Sequence, residues 1–376
     1  MNILKAGIED LARRPQSAIP GLDALRTLAI LLVFSDHFYF FYSQASHTEL
    51  AIGRLPFFLF GWTGVDLFFV LSGLLIGGQL YKELSATGTV DMPRFVLRRG
   101  LRIWPYYFAV IALVLVFVPQ ATLRAVLPDI FFYSNYVGGK VSGGWSLSTE
   151  EQFYILVPLV LLLTVRILPF AYQWIPPALG LLLLPLARHQ ALIGVPVSQY
   201  ASLSDFVIYA PFHTHADGLA AGLLLAWAGT AKRTWLASAP VQRNIVLPIF
   251  MLAAAVVIRM ADKQLFSFTA LALIYSAMVL LVLRDKSALS RILSGHALYL
   301  GSRLSYAMYL NHFLILRYIL PVVIGSAPLK TASEVTFLIY YALMLFSSTG
   351  IAAVTFVAVE SPFLRLRSRI LSAWHH

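Results

Sequence analysis

Cysteine is absent from this 376-residue sequence, and charged residues make up only 12% of it. The absence of cysteine excludes disulfide bonds, thiolate metal ligands and a cysteine nucleophile within the chain. The charged fraction is about half that of soluble globular domains, whereas hydrophobic residues reach 59%. Water therefore cannot be the main solvent, and we expect one bundle of lipid-facing helices to absorb residues 1–376 as a single domain.

Long apolar stretches dominate the chain. Those long enough to cross a hydrocarbon core of about 30 Å predict an all-α membrane protein with a bundle of about ten transmembrane helices, at 22–43, 57–80, 103–119, 152–170, 174–192, 206–229, 244–261, 265–283, 297–325 and 335–358. Segment 123–138 is either an interfacial helix or a loop. The first stretch has no small-residue cleavage pattern, so we expect it to remain as a helix rather than to act as a signal peptide.

The net charge of +11 would suggest a nucleic-acid partner for a soluble protein, but here the basic residues are dispersed between apolar segments. Placing the N-terminus in the cytoplasm puts 18 Lys and Arg residues on the inner face and 7, Arg188 among them, on the outer face. Cytoplasmic loops of membrane proteins carry an excess of these residues. The distribution predicts that segment 1–20 and tail 361–376 are both cytoplasmic, with membrane lipids rather than nucleic acid as neighbours.

Two ionisable residues share one stripe of the first predicted helix. Arg26 and His37 are eleven residues apart, and eleven helical steps return to nearly the same direction roughly 16 Å further along the axis. Ionisable side chains inside a span are rare and usually functional. This alignment favours a functional pair over a structural histidine. Asp36 projects to another side of the helix, so we expect its partner elsewhere.

Two further motifs each allow two interpretations. Asp66, close to Gly64 in the second span, is either a residue of helix packing or a functional buried carboxylate. Arg99 and Arg102 precede the third span at a spacing that places them on one helix face. They either set the orientation of the chain in the membrane and contact anionic lipids, or bind a phosphate group, which planar guanidinium groups suit.

Polar residues also precede the fourth span and interrupt later ones. Ser148 with Glu150 and Glu151 fits an ordinary helix start, with Ser148 as the N-cap and Glu151 in the capping-box position, or a pair of functional carboxylates. The predicted sixth span contains the polar residues His213, His215 and Asp217. The predicted ninth span contains Arg303, Ser305, Asn311 and His312, and Glu360 follows the end of the tenth.

Together these motifs resemble the acyltransferase-3 family, in its stand-alone transmembrane form. The similarity rests on five short motifs in the family's order: Arg26-x10-His37, Gly64-Val65-Asp66-Leu67-Phe68-Phe69, Arg99-x-x-Arg102 before Pro105-Tyr106, Trp145-Ser146-Leu147-Ser148 leading to Glu150-Glu151-Gln152-Phe153-Tyr154, and Ser305-Tyr306 through Tyr309-Leu310 to His312. Two positions depart from the family's pattern. His215 stands before Asp217 where relatives often have Arg, and Asn311 stands where Trp commonly precedes the histidine.

The resemblance implies an O-acyltransferase of the bacterial inner membrane. It would move an acyl group, with acetyl favoured, from cytoplasmic acyl-CoA to a hydroxyl of a carbohydrate or glycolipid acceptor, without a metal. The implied catalytic residues are His37, as general base or covalent acyl carrier, with Arg26, Glu150 and Glu151. The donor would be held by Arg99, Arg102 and Tyr106, and the implied supporting or substrate-binding residues are Asp36, Asp66, Trp145, Ser148, His215, Asp217, Ser305 and His312.

Two other classes of protein share the general features. A transporter or lipid flippase would use the same buried charges as a relay or binding site, and a membrane scaffold would use them for packing alone. About ten spans and basic inner loops fit all three classes. The aligned Arg26 and His37, together with the ordered motifs, favour the enzyme.

Overall fold

The computed structural model describes residues 3–16, 18–194, 205–231, 248–249, 251–252, 264–283, 292–326 and 333–373. These ranges are helical with short connections and contain no strand. Their longer helices are α1 (Ile3–Ala12), α2 (Pro20–Ser46), α3 (Gly64–Thr87), α4 (Met92–Phe117), α5 (Leu123–Ile130), α6 (Gly144–Thr164), α7 (Ile175–Leu192), α8 (Asp217–Ala231), α9 (Gln264–Val282), α10 (His296–Leu314), α11 (Glu334–Thr355) and α12 (Ser361–Ala373).

Eight helical stretches in the described ranges are long and apolar enough to cross a membrane. They contain α2, α3, α4, α6, α7 and α9, and the continuous stretches His296–Gly325 and Glu334–Ala373. This confirms an all-helical integral membrane protein over the described part of the chain. The count of ten stays a prediction because most of the predicted span 244–261 lies outside the described residues, and the cytoplasmic placement of both termini also stays a prediction.

The predicted sixth span, 206–229, is not one continuous helix. A π-helical turn, Asp205–Tyr209, is separated from α8 by a non-helical segment. Within it the hydroxyl of Thr214 donates to the carbonyls of Ile208 at 2.8 Å and Pro211 at 3.0 Å. Proline lacks the N–H that a continuing helix needs. His213 and His215 therefore lie in the non-helical segment between Tyr209 and Asp217, and not in a helix.

The helix that carries Glu150 starts earlier than predicted. Its N-cap is Gly143, whose φ of 75° lies in the left-handed region that glycine adopts without steric cost. The helix therefore begins at Gly144, and Ser148 lies in its second turn. The assignment of Ser148 as N-cap and Glu151 as its capping-box partner is wrong. Helix α4 likewise begins at Met92, so that Arg99 and Arg102 lie inside it.

The last predicted helix does not close at Glu360. A π-helical turn, Phe356–Glu360, leads directly into α12, and Pro362 lies in the first turn of α12, where its missing N–H is tolerated. Asp10 of α1 fixes this extension, because its Oδ2 accepts hydrogen bonds from Ser361 Oγ at 2.7 Å and Arg365 Nε at 2.8 Å.

The chain divides into two compact units. Unit 1 comprises Met1–Val65, Leu97–Val118 and Leu293–His376, and unit 2 comprises Asp66–Val96 and Pro119–Ile292. In unit 1, α10 lies so close to α2 that a Cβ on Gly301 would stand 2.6 Å from Thr27 Cγ2. A buried aromatic cluster around Phe34, Phe38 and Phe337 packs α2 against α11. This packing sets His37 of α2 beside α10.

In unit 2, α3 and α8 cross at two glycines. A Cβ on Gly73 would stand 2.3 Å from the carbonyl oxygen of Leu219, and one on Gly222 would stand 2.3 Å from that of Val70. Small residues permit such close approach of membrane helices. The crossing holds the start of α3, with Asp66, beside the turn that precedes α8.

Candidate active site

The catalytic histidine predicted from the sequence lies in unit 1 and meets a second histidine. His37 Nδ1 is 3.1 Å from Nε2 of His312, which is fully buried in α10. The ring of Phe313 packs against both imidazoles, with centroid distances of 4.2 Å to His37 and 4.5 Å to His312. The structure thus joins the first and last of the sequence motifs through one hydrogen bond.

The neighbours of His37 on α2 take different directions, as the helical period requires. Arg26 is half-buried toward the beginning of α2. Asp36 is also half-buried, and its carboxylate accepts a hydrogen bond from the backbone of Trp62. Asp36 therefore serves the connection after α2, as its angular position on the helix indicated, and its hydrogen bond does not orient the imidazole of His37.

The predicted donor-binding residues of α4 also lie in unit 1. Tyr106 is buried, and its ring packs edge-on against that of Tyr306 of α10 at 6.2 Å. Arg102 interacts electrostatically with the buried carboxylate of Glu360 and with Arg303. Arg99 is half-buried on the same helix.

Four guanidinium groups form a cluster, and two of them, Arg102 and Arg303, interact with the Glu360 carboxylate. Arg367 of α12 interacts electrostatically with Arg98, Arg102 and Arg303, all of like charge. The Nε–H groups of Arg98 and Arg303 are buried and donate a hydrogen bond to none of the described residues. Clustered cations repel one another unless an anion lies among them, and the two carboxylates that interact with Arg303, those of Glu360 and Asp10, carry fewer charges than the four guanidinium groups. The cluster is therefore suited to bind an anionic group.

Asp66 and His215 form a buried pair in unit 2. His215 Nε2 lies 2.8 Å from Asp66 Oδ1, and both side chains are fully buried. His215 Nδ1 donates to the carbonyl of Tyr209 at 2.5 Å. The rings of Trp145 and Phe268 flank the imidazole, at centroid distances of 5.9 Å and 3.8 Å. Because both imidazole nitrogens are engaged, His215 cannot act as a base while these bonds persist.

Asp217 has a partner that the sequence analysis assigned to the outer face. Arg188 of α7 is fully buried, and its guanidinium binds both carboxylate oxygens of Asp217, at 2.7 and 3.1 Å. The remaining donors of Arg188 reach the carbonyls of Thr214 and Leu265 and the hydroxyl of Thr269. Counting Arg188 only as an outer-face charge missed this pairing, for which its place within the apolar run 174–192 was the available signal. The membrane face to which Arg188 belongs stays a prediction.

The carboxylates of α6 have separate environments. Glu150 is half-buried and accepts hydrogen bonds from Ser72 Oγ at 2.8 Å and Tyr154 Oη at 2.6 Å. Glu151 is buried on another face of the helix. The Ser148 hydroxyl lies 2.9 Å from that of Ser134. Ser148 thus ties α6 to the preceding turn.

Two further positions in α10 have structural contacts. The hydroxyl of Ser305 donates to the carbonyl of Ser302 at 2.9 Å. Asn311, one of the departures from the family pattern, exchanges two hydrogen bonds with Ser348 of α11, at 2.7 and 3.2 Å. The amide therefore joins two helices of unit 1.

These groups define the chemistry available in each unit. Unit 1 holds an imidazole pair and an arginine cluster, which suit proton transfer and the binding of an anion. Unit 2 holds the buried ion pair of Arg188 with Asp217, the hydrogen-bonded pair of His215 with Asp66, and two glutamates. The described residues contain no group of three or more His, Asp or Glu side chains that could hold a metal ion. The assignment of Glu150 and Glu151 to the same reaction as His37 stays a prediction.

An integral membrane protein with an intramembrane histidine and an arginine cluster fits the class of membrane acyltransferases. A family model described as an acyltransferase domain, that of the acyltransferase-3 family, matches residues 19–357, and the chain belongs to this family. The family expected from the sequence motifs is thereby confirmed.

Curated relatives carry more specific names. The chain is 26% identical to the peptidoglycan O-acetyltransferase OatA of Listeria monocytogenes over 349 residues, which cover 84% of this chain and 52% of the relative. It is 32% identical to the O-acetyltransferase OatA of Staphylococcus aureus over 163 residues, 38% of this chain and 24% of the relative. The chain thus spans about half of the first relative's length and about a quarter of the second's. No solved structure matches the chain.

Proposed function

We propose that the chain is an integral membrane O-acyltransferase of the bacterial inner membrane that moves an acetyl group from cytoplasmic acetyl-CoA to a hydroxyl of a carbohydrate acceptor. The observation that carries this proposal is the imidazole of His37 inside a membrane-spanning helix of an acyltransferase-family chain. Its Nδ1 lies 3.1 Å from Nε2 of His312, and this contact engages only one of the two ring nitrogens. A nitrogen with an available lone pair can take a hydroxyl proton or carry an acyl group.

The names of the relatives support the acetyl group and the class of acceptor. One relative is named for peptidoglycan O-acetylation, and peptidoglycan is a carbohydrate polymer with hydroxyl groups. A peptidoglycan-type glycan is therefore the acceptor that we favour. A glycolipid presented at the bilayer is the alternative acceptor within the same proposal.

The arginine cluster supports an acyl-CoA donor. The phosphates of coenzyme A cannot enter hydrocarbon, so they must stay at a polar boundary while the pantetheine arm reaches inward. Guanidinium groups bind phosphate through paired hydrogen bonds. In this proposal Arg99 and Arg102 hold the phosphates, with Arg98, Arg303 and Arg367 adding positive charge, and Tyr106 lines the entry of the arm.

The reaction combines one acyl transfer with the passage of one proton from the acceptor hydroxyl to the departing thiolate. Nε2 of His37 takes the proton of the acceptor hydroxyl as the oxygen attacks the thioester carbonyl. The carbon–sulfur bond then breaks, and the His37 imidazolium passes this proton to the departing thiolate, which yields an O-acyl ester, free coenzyme A and the neutral imidazole. In the covalent alternative Nε2 attacks the thioester first, and the acceptor oxygen then takes the acyl group from the imidazole. Arg26 positions the donor or stabilises the oxyanion in either case.

Purified protein in lipid nanodiscs, supplied with acetyl-labelled coenzyme A, tests this proposal. We expect His37-dependent release of coenzyme A and transfer of the label to added peptidoglycan fragments. Label that stays on the protein when the acceptor is left out would indicate the covalent route. Movement of a solute in proteoliposomes, without thioester cleavage under any of these conditions, would instead make the chain a transporter or flippase and overturn the proposal.

A further inference from the structure

The hydrogen bonds of His312 determine where its proton lies. Nδ1 of His312 is 3.0 Å from the carbonyl oxygen of Met308, one turn earlier in α10. A carbonyl oxygen only accepts, so Nδ1 must carry a hydrogen. The ring is fully buried, with Phe34, Tyr309 and Phe313 around it. No described carboxylate forms a hydrogen bond with it, and an imidazolium buried among aromatic rings without a counter-ion is strongly unfavourable.

His312 is therefore neutral, with a lone pair on Nε2. That lone pair faces Nδ1 of His37 at 3.1 Å. Two facing lone pairs would repel each other, so Nδ1 of His37 must be the donor. The contact with His312 therefore places a hydrogen on Nδ1 of His37.

A neutral imidazole carries one hydrogen, so this arrangement leaves Nε2 of His37 as the nitrogen with the free lone pair. We infer that His312 is a positioning residue, which selects the Nδ1–H tautomer of His37 and holds its ring so that Nε2 acts on the substrate. Only the expected effect of His312 variants on kcat rests on the proposed acyl transfer. The tautomer itself follows from the hydrogen bonds.

The same contact supports the charged state that forms during the reaction. When Nε2 of His37 takes the hydroxyl proton, the ring becomes an imidazolium, and its Nδ1–H continues to donate to the lone pair of His312. In serine hydrolases a carboxylate holds the catalytic imidazole in the corresponding way. Here a neutral ring provides the acceptor, so that no net charge is buried before the reaction begins. A purely structural role would require only that His312 fill its aromatic surroundings.

Two replacements of similar length separate these roles. Gln in the variant His312→Gln places an amide oxygen close to the position of Nε2 and can accept the hydrogen bond, whereas Met in His312→Met fills similar space with only a weak acceptor. We expect His312→Met to lower kcat about 10- to 100-fold, by analogy with the partners that orient metal-bound imidazoles, with KM for acetyl-CoA little changed. We expect His312→Gln to recover most of kcat. Equal kcat in the two variants would overturn the positioning role.

Nitrogen NMR of histidine-labelled protein in nanodiscs tests the tautomer without reference to activity. The signals of His37 are assigned by their loss in His37→Ala. The inference requires the Nδ1–H tautomer in the wild-type protein, and a dominant Nε2–H tautomer would overturn it even if His312→Met failed to fold. A wild-type protein without acyl transfer but with the Nδ1–H tautomer would refute the proposed function and leave the tautomer assignment standing.

Discussion

The crossing of α3 and α8 in unit 2 provides a quantitative test of the fold. In Gly73→Ala the new Cβ would stand 2.3 Å from the backbone oxygen of Leu219 and 2.9 Å from Cα of Gly222. Ordinary contacts begin near 3.4 Å, so α8 would have to retreat by about 1.1 Å, the difference between 3.4 and 2.3. Neither contact is a flexible side chain that could turn away.

The expected change in stability follows from two opposing terms. Overpacking of this kind typically costs about 1–3 kcal/mol, while Ala in place of Gly in a helix interior favours the helix by about 1 kcal/mol. Gly78, on the same helix, supplies the control, because a Cβ there meets none of the described atoms within 4 Å. Gly78→Ala should keep the propensity gain without the clash. The two variants should therefore differ by about 1–3 kcal/mol.

The free energy of unfolding in mixed detergent micelles, followed by circular dichroism during a denaturing-detergent titration, measures this difference. Gly73→Ala should unfold at lower denaturant than Gly78→Ala. If the two variants unfold together, α3 and α8 do not cross at Gly73, and the geometry that places Asp66 beside the turn before α8 is refuted.

Three further perturbations have defined outcomes. Arg188→Met should destabilise the protein by about 3–5 kcal/mol, because it leaves Asp217 as a buried unpaired charge, and adding Asp217→Asn should restore part of the loss in the same titration. Arg99→Ala combined with Arg102→Ala should raise KM for acetyl-CoA more than it lowers kcat, since phosphate contacts change little between ground and transition states. An unchanged KM would mean that these residues only set the membrane orientation or contact lipids. Burial raises the pKa of Asp129, which lies outside the spans, above its usual 3.8. Its contribution to stability is therefore present at low pH and is lost as pH rises through the raised pKa. A plot of melting temperature against pH should show this loss for the wild-type protein, and the corresponding plot for Asp129→Asn should lack it.

Some features of the fold and site follow directly from the sequence. The apolar segments and the spacing of Arg26 and His37 predict a helical membrane protein with a histidine inside the first span, because composition and helical period are local properties. The buried His312 ends the motif that runs from Ser305 to His312, which the sequence also indicates as functional. Its hydrogen bond to His37 depends on how α2 and α10 pack, which no local pattern encodes.

Other features depend on backbone conformation or on distant partners. The start of α6 at Gly144 depends on the left-handed φ of Gly143, so the pattern of Ser148 with Glu151 led to the wrong cap. Arg188 resembles a boundary charge when only its neighbours in the chain are considered. Its role becomes visible only when α7 and α8 bring it to Asp217, a residue 29 positions away.

Turnover by His37→Ala tests the central claim most directly. Removing this polar side chain from a span does not oppose membrane insertion, and His189→Ala, at an exposed position of α7, serves as the control. Positioned general-base catalysis contributes about 10²–10⁴-fold, so acetyl transfer by folded His37→Ala should fall at least about a hundredfold while His189→Ala keeps wild-type turnover. A well-folded His37→Ala protein that retains more than about half of wild-type acetyl transfer would show that the histidine is structural and that the proposed mechanism is wrong.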